Sequence, residues 1–193
     1  MNQLLSEFEA FNKVLNTMSV NVRIGETNEQ IRFAIRKSSM GLILVARNER
    51  GICAILMGDD RGELIDDLED RFPQAEAIED DGDSEQFIAK IAGFVEIPTI
   101  GFDLPLDVRG TAFQRRVWEA LRQIPVGSTA SYMDIANRIG SPRSVRAVAQ
   151  ACGANVLAIA IPCHRIVRSD GALSGYRWGV ERKRMLLDRE ACA

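Results

Sequence analysis

Between residues 20 and 58 the chain repeats one local design: four short apolar segments, at 20–24, 31–36, 42–47 and 52–57, with glycines at 25, 41, 51 and 58 as punctuation. Ile31, Phe33 and Ile35 fall on alternate positions, the period of a strand with one buried face. Segments this short, rich in β-branched residues and separated by glycine, predict strands joined by tight turns. The expectation is a small antiparallel sheet.

Elsewhere the period is helical. Leu4, Leu5, Phe8, Phe11, Val14, Leu15 and Met18 predict an amphipathic helix over 4–18 that packs on the core. A second helix is expected over 61–71, with Leu64, Leu68 and Phe72 inward, and a third over 84–96. Between them, residues 73–84 carry Glu76, Glu79, Asp80, Asp81 and Asp83 and read as a solvated connection without function. After Arg109 helices dominate. Thr111 caps one that runs through Leu121 and buries Phe113, Val117, Trp118 and Leu121 in part, until Pro125-Val126-Gly127 ends it. The fold class is therefore α+β, with a sheet-and-helix domain over residues 1–100 and a helical domain over 101–193.

Charge divides at the same place. Residues 1–100 carry a net charge of −9 and residues 101–193 a net charge of +6. A basic half of this kind suits phosphate, with the acidic half turned away from it. No apolar run approaches the ~20 residues that span a bilayer, and no basic segment leads into an apolar stretch at the start, so neither a membrane anchor nor a secretory signal is expected. Cysteines at 53, 152, 163 and 192 form no Cys-x-x-Cys pair, and with one histidine they make a poor zinc set. A reduced, intracellular, metal-free protein is expected.

Within the basic half, residues 131–140 predict a helix with Ser131 as N-cap, Asp134 at its third position and Gly140 as its stop. Ser141-Pro142 then opens a second helix, Arg143 to about Cys152, with Val145, Val148, Ala149 and Cys152 inward. Helix, glycine-containing turn and helix is the helix-turn-helix pattern, which ordinary helical hairpins share. Ala147, Val148, Ala149, Ala151, Gly153 and Ala154 keep the second helix slim enough to approach another surface closely.

Residues 161–167 read Ile-Pro-Cys-His-Arg-Ile-Val, and His164 is the only histidine in the chain. The thiolate is the nucleophilic form of cysteine, and a free thiol with a pKa near ~8.5 is only about 3% ionised at neutral pH. Chemistry at Cys163 needs a base or a positive field, and His164, Arg165 and Arg168 offer both. Taken alone, the Cys-His pair fits a buried structural cysteine beside a satisfied histidine equally well.

The longer context separates these readings. The heptapeptide, Arg168, residues 171–179 (Gly-Ala-Leu-Ser-Gly-Tyr-Arg-Trp-Gly), residues 109–114 (Arg-Gly-Thr-Ala-Phe-Gln) and Ser131-Tyr132 together resemble the active-site signature of the O6-alkylguanine-DNA alkyltransferases, also called methylated-DNA–protein-cysteine methyltransferases. The Arg-Trp after Tyr176 is most similar to the Ada-type branch. The resemblance is strong over 102–190 and weaker over 40–60, and it leaves 1–39 unplaced.

The resemblance implies direct-reversal repair: irreversible transfer of the methyl or alkyl group of O6-alkylguanine, with O4-alkylthymine as a second substrate, from duplex DNA to Cys163. It casts Cys163 as nucleophile, His164 as the base acting through a bridging water, and Glu190 as the residue that orients the histidine. Asn155 braces the turn that carries the cysteine, and Tyr132 helps rotate the backbone and donates to the departing guanine. Arg146 matches an arginine that fills the space left by the extruded nucleotide, and Ser131, Tyr132, Arg143, Ala147 and Gln150 join it against the minor groove. Pro162, Ile166, Tyr176, Arg177 and Trp178 are expected around the flipped base, with Arg177-Trp178 narrowing the pocket in favour of methyl over benzyl.

The thioether product has no exchangeable proton, so each molecule acts once, with no cofactor and no S-adenosylmethionine. The histidines that hold a structural zinc in some relatives are absent. A monomeric, cytoplasmic, nucleoid-associated bacterial protein is expected, and the chain reads equally as a whole protein or as the C-terminal part of an Ada-type fusion. The alternative function is a non-catalytic damage sensor or DNA-binding regulator, although relatives of that kind lack the cysteine. A cysteine hydrolase would need a second histidine, and none exists.

Overall fold

The computed structural model describes residues 29–80, 85–96 and 104–192. The helix expected over 4–18 and the segment 20–24 lie outside the described residues. Strands β1 (Glu29–Ser38), β2 (Gly41–Asn48) and β3 (Gly51–Gly58) form an antiparallel meander, as the alternation and the glycines predict. Gly41 and Gly51 turn the chain at φ +97° and +137°. A Cβ there would fall 2.6 Å from the Gly58 carbonyl and 2.4 Å from that of Pro105, so both turns demand glycine.

Two sequence expectations fail here. Helix α1 (Arg61–Arg71), capped by Asp60, leads into a fourth strand, β4 (Ala75–Glu79), where a solvated connection was expected. That strand pairs parallel to β1, so the sheet is mixed, in the order β3-β2-β1-β4. A parallel neighbour needs a crossover, and α1 supplies it. β4 is an edge strand built from alanine, glutamate and a single isoleucine and has no fully buried side chain, which explains why its sequence reads as a loop. Asp80, just beyond it, donates its N–H to the Phe33 carbonyl and pairs with Arg47. Helix α2 (Glu85–Glu96) lies along β1 and β2 and buries Ile88, Ile91 and Val95.

In the basic half, α3 (Ala112–Arg122) begins at a reciprocal capping box between Thr111 and Gln114. It packs on α4 (Tyr132–Arg138) and α5 (Val145–Gly153), and Trp118 Nε1 donates to the Ala151 carbonyl at 2.8 Å. Ser131 and Asp134 form the second capping box, and Gly140 ends α4 at φ +67°. The start of α5 differs from expectation. Ser141 and Ser144 close a tight turn through their backbone, so Pro142 and Arg143 lie in that turn and the helix begins at Val145 with Ser144 as N-cap. Val148, Ala151 and Cys152 face inward, whereas Val145 and Ala149 are only half-buried.

The two halves share one apolar core. The outer edge of β3 is closed by the basic half. Ile52 exchanges backbone hydrogen bonds with Pro105 and Asp107, and Ile55 with Val156 and Ala158. The second of these pairings anchors the segment that runs to Cys163, so closing an aggregation-prone edge also fixes the approach to that cysteine. No helix among the described residues is long and apolar enough to cross a membrane.

Candidate active site

Cys163, His164 and Arg165 form a single 3-10 turn, followed by β6 (Ile166–Val167). β6 pairs in parallel with β5 (Ala130–Ser131), whose Ser131 caps α4. The start of α4 and the cysteine turn are thus joined by a two-residue ladder. Upstream, Ile159 holds φ +69°, uncommon for any residue other than glycine and costly for a β-branched one. That strained residue lets the chain double back between the sheet edge and the cysteine turn.

Cys163 is 5% exposed. Asn155 Nδ2 lies 3.2 Å from its sulfur and also donates to the Ile161 carbonyl at 2.9 Å, while Asn155 Oδ1 accepts from the Leu157 N–H. Burial pushes the Cys163 thiol up to about 11, although the Asn155 amide and the charge of Lys183 both act to lower it. Burial thus favours the neutral thiol, and any chemistry at this sulfur requires that its proton be removed.

His164 is fully buried, with Nε2 2.8 Å from Glu190 Oε1. Its Nδ1 has no hydrogen-bond partner among the described residues. Burial holds the ring's pKa below its ordinary value, against the pull of Glu190, so the imidazole is neutral at pH 7 and able to accept a proton. Glu190 sits on the inner face of α6 (Val180–Ala191). Burial would raise its pKa, but hydrogen bonds from His164 and Arg165 override that and bring it to about 2. Arg165 grips both carboxylate oxygens and the Ile124 carbonyl. Arg165 was expected to supply positive field to the sulfur; instead its guanidinium is committed to Glu190. Arg168 is exposed and lies 3.8 Å from Asp170.

The cation near the sulfur is one that sequence reasoning missed. Lys183 is fully buried on α6, and its ammonium donates to the Ile166 carbonyl, to the Ser174 carbonyl at 3.3 Å and to Ser174 Oγ at 2.8 Å. Its spacing with Leu186 and Glu190 puts all three on one helical face. That periodicity was the available signal.

Around the turn, Tyr176 packs edge-on against His164 at 6.4 Å and against Trp178 at 5.2 Å. The Tyr176 hydroxyl and Trp178 Nε1 are buried without partners among the described residues. Trp178 itself is buried behind Tyr176, and the Arg177 side chain turns away to Asp67 at 2.9 Å. Pro162 and Ile166 are buried on either side of the Cys-His-Arg turn. Tyr132 is half-buried, with its hydroxyl 3.0 Å from Ser174 Oγ. On α5, Arg146 and Gln150 are exposed one turn apart and Ala147 is half-buried; Arg143 is exposed in the preceding turn. Among the described residues no three His, Cys, Asp or Glu side chains gather as a metal-binding group.

Residues 112–192 match the DNA binding domain of 6-O-methylguanine DNA methyltransferase, and residues 31–95 match the ribonuclease-like domain of the same family. The chain is also 40% identical over 158 residues to the inducible methylated-DNA–protein-cysteine methyltransferase of Bacillus subtilis, spanning 82% of this chain and 83% of that protein. The chain belongs to the 6-O-methylguanine DNA methyltransferase family. It is 50% identical over 186 residues to the bifunctional transcriptional activator and DNA repair enzyme Ada of Escherichia coli, covering 96% of this chain and 52% of Ada, so it spans about half the length of that relative. The crystal structure of Mycobacterium tuberculosis OGT in complex with DNA superposes with a TM-score of 0.69 at 34% identity, over 84% of this chain and 93% of that one. The likeness thus extends into the N-terminal half well beyond the 40–60 segment noted from sequence.

Proposed function

We propose that this chain repairs O6-methylguanine in duplex DNA by taking the methyl group onto Cys163, once and irreversibly. The observation that carries this reading is the buried Cys163-His164-Glu190 set, in which Glu190 occupies His164 Nε2 and leaves Nδ1 open to receive the thiol proton. As the S–C bond forms, the O6–C bond breaks, the thiol proton passes through a bridging water to His164, and Glu190 stabilises the imidazolium. Tyr132 donates a hydrogen bond to the departing guanine, which leaves as its anion and takes up a proton from solvent on release. Net charge in the pocket changes little, which suits a buried site.

A stacked base cannot bring its O6 to a buried sulfur, so the target nucleotide must be flipped out, and an alkylated, mispaired guanine costs less to flip. Exposed Arg146 and Gln150, with the small residues of α5, suit a shallow, nearly sequence-blind approach to the minor groove. Tyr132 and Tyr176 then flank the pocket. O4-alkylthymine is the second substrate, and the protein acts as a monomer on nucleoid DNA in the cytoplasm; its relatives in Escherichia coli and Bacillus subtilis support a bacterial setting.

The test is to mix the protein with an excess of duplex carrying labelled O6-methylguanine and to map the label by peptide mass spectrometry. One methyl per molecule on the Cys163 peptide, absent in Cys163→Ser, is the expected result. Binding to damaged duplex without any label would instead mark a damage sensor.

A further inference from the structure

Three parts of the site that are distant in sequence meet at one hydroxyl. Ser174 Oγ lies 3.0 Å from the Tyr132 hydroxyl, 2.8 Å from Lys183 Nζ and 3.1 Å from the Ile166 carbonyl. A serine hydroxyl can accept two hydrogen bonds and donate one. Here both acceptor positions are taken, by the phenol and the ammonium, and its one proton goes to Ile166. The group is saturated. In sequence it is one serine of the glycine-flanked segment 171–175, and nothing in the Cys-His-Glu logic uses it.

The Ile166 carbonyl has a second donor, because Lys183 Nζ bonds to it as well. Ser174 can therefore turn its proton away from Ile166 without stranding a buried carbonyl. Among the described residues the acceptor within its reach is the oxygen of Tyr132, which becomes available when the phenol turns its own proton toward a base in the pocket. The backbone holds this geometry in place. Val167 bridges to Leu173, which sets Ser174 beside Ile166, and Ser131, next to Tyr132, pairs with Val167.

From this we infer that Ser174 is a positioning residue for Tyr132. In the free protein it accepts the phenol's hydrogen bond. During transfer it returns one, so that Tyr132 presents its proton to the departing guanine while its oxygen stays solvated by a group tied to the Lys183 charge. No proton changes owner at Ser174 in this step; the hydroxyl only exchanges donor and acceptor roles. The inference rests on the reading of Cys163 as methyl acceptor and of Tyr132 as donor to guanine.

The test compares Ser174→Thr with Ser174→Val, which have the same shape and differ by a hydroxyl for a methyl. Single-turnover methyl transfer is measured at saturating duplex, alongside duplex affinity. Thr is expected to keep the wild-type rate, and Val to lose about tenfold in rate, the scale of one hydrogen bond to a reacting group, with affinity unchanged. In a Tyr132→Phe background the Thr and Val proteins should transfer equally slowly, because the phenol through which Ser174 acts is gone. If Val slows transfer as much in the Phe background as in the wild type, or if Val and Thr are equally fast with Tyr132 present, the inference is overturned. If the wild-type protein places no methyl on Cys163, it is the underlying reading that fails.

Discussion

Asn155 places its amide 3.2 Å from Cys163 Sγ while the rest of its side chain ties together the Ile161 carbonyl and the Leu157 N–H. One residue thus shapes the turn and also solvates the sulfur it presents. It is 1% exposed, so none of these partners has water to fall back on. Asn155→Ala should lower unfolding stability by about 2–3 kcal/mol, the cost of leaving buried backbone groups unpaired. It should also move the thiol further above its value of about 11, since the amide acts to lower it. Chemical denaturation and ultraviolet titration of the thiolate read the two effects separately. An unchanged thiol titration would show that the amide does not solvate the sulfur.

Glu190 gives a stability signature in acid. Its folded pKa of about 2 lies below the ordinary 4.5, so the folded state binds its proton less readily than the unfolded chain. The resulting stabilisation, on the order of 3 kcal/mol, is present above pH 4.5 and is lost as pH falls toward 2. Glu190→Gln removes that pH dependence. It also strands Arg165, whose guanidinium is buried against Glu190, and should lower stability at neutral pH by about 3–5 kcal/mol. Urea unfolding at several pH values checks both, and a mutant with the wild-type acid slope would contradict the assignment.

The pH dependence of transfer follows from His164. Burial keeps its pKa below 6.5, so the neutral base dominates at pH 7 and the rate should be flat through neutrality. The rate should fall only on the acid side of 6.5, as the imidazole protonates. In His164→Ala the proposed base is gone, and thiolate is then expected to form only by direct ionisation. Transfer should then be slow at pH 7 and rise about tenfold per pH unit toward the thiol value of about 11. A flat profile in this variant would mean that another group takes the proton.

How far the sequence carried these assignments differed from element to element. β1 to β3 were legible because alternation and obligatory glycines leave few other folds, and Thr111 and Ser131 marked their helices through capping chemistry that acts over three residues. β4 was not, because an edge strand needs no apolar run and its pairing depends on a crossover that local pattern does not encode. The α5 start was misplaced since Ser-Pro suits a tight turn as well as a first helical turn. Cys163, His164 and Glu190 were found through resemblance, and their geometry is consistent with the roles it implies. The partners of the two buried cations were not legible. Arg165 and Lys183 are long cations that ordinarily face solvent, and only the three-dimensional arrangement shows each held by buried acceptors.

In the proposed function, alkyl size selectivity is set by what stands behind Tyr176. Trp178 packs edge-on against it at 5.2 Å and is itself buried, so that wall of the pocket is backed by an aromatic ring and cannot retreat readily. The neighbouring Arg177 is tied to Asp67 and to the Gly153 carbonyl, which limits outward movement of the loop. With Tyr176 as the proposed wall of the base pocket, a benzyl group would press on this backed ring where a methyl group would not. Transfer from O6-methylguanine is therefore expected to be faster than from O6-benzylguanine. Trp178→Ala should narrow or reverse that order by letting Tyr176 shift into the space released. The substitution carries its own destabilisation of about 3–5 kcal/mol, so rates are compared as the benzyl-to-methyl ratio within each protein, measured where both are folded. A wild-type protein that takes benzyl faster than methyl would show that this wall does not set the size limit.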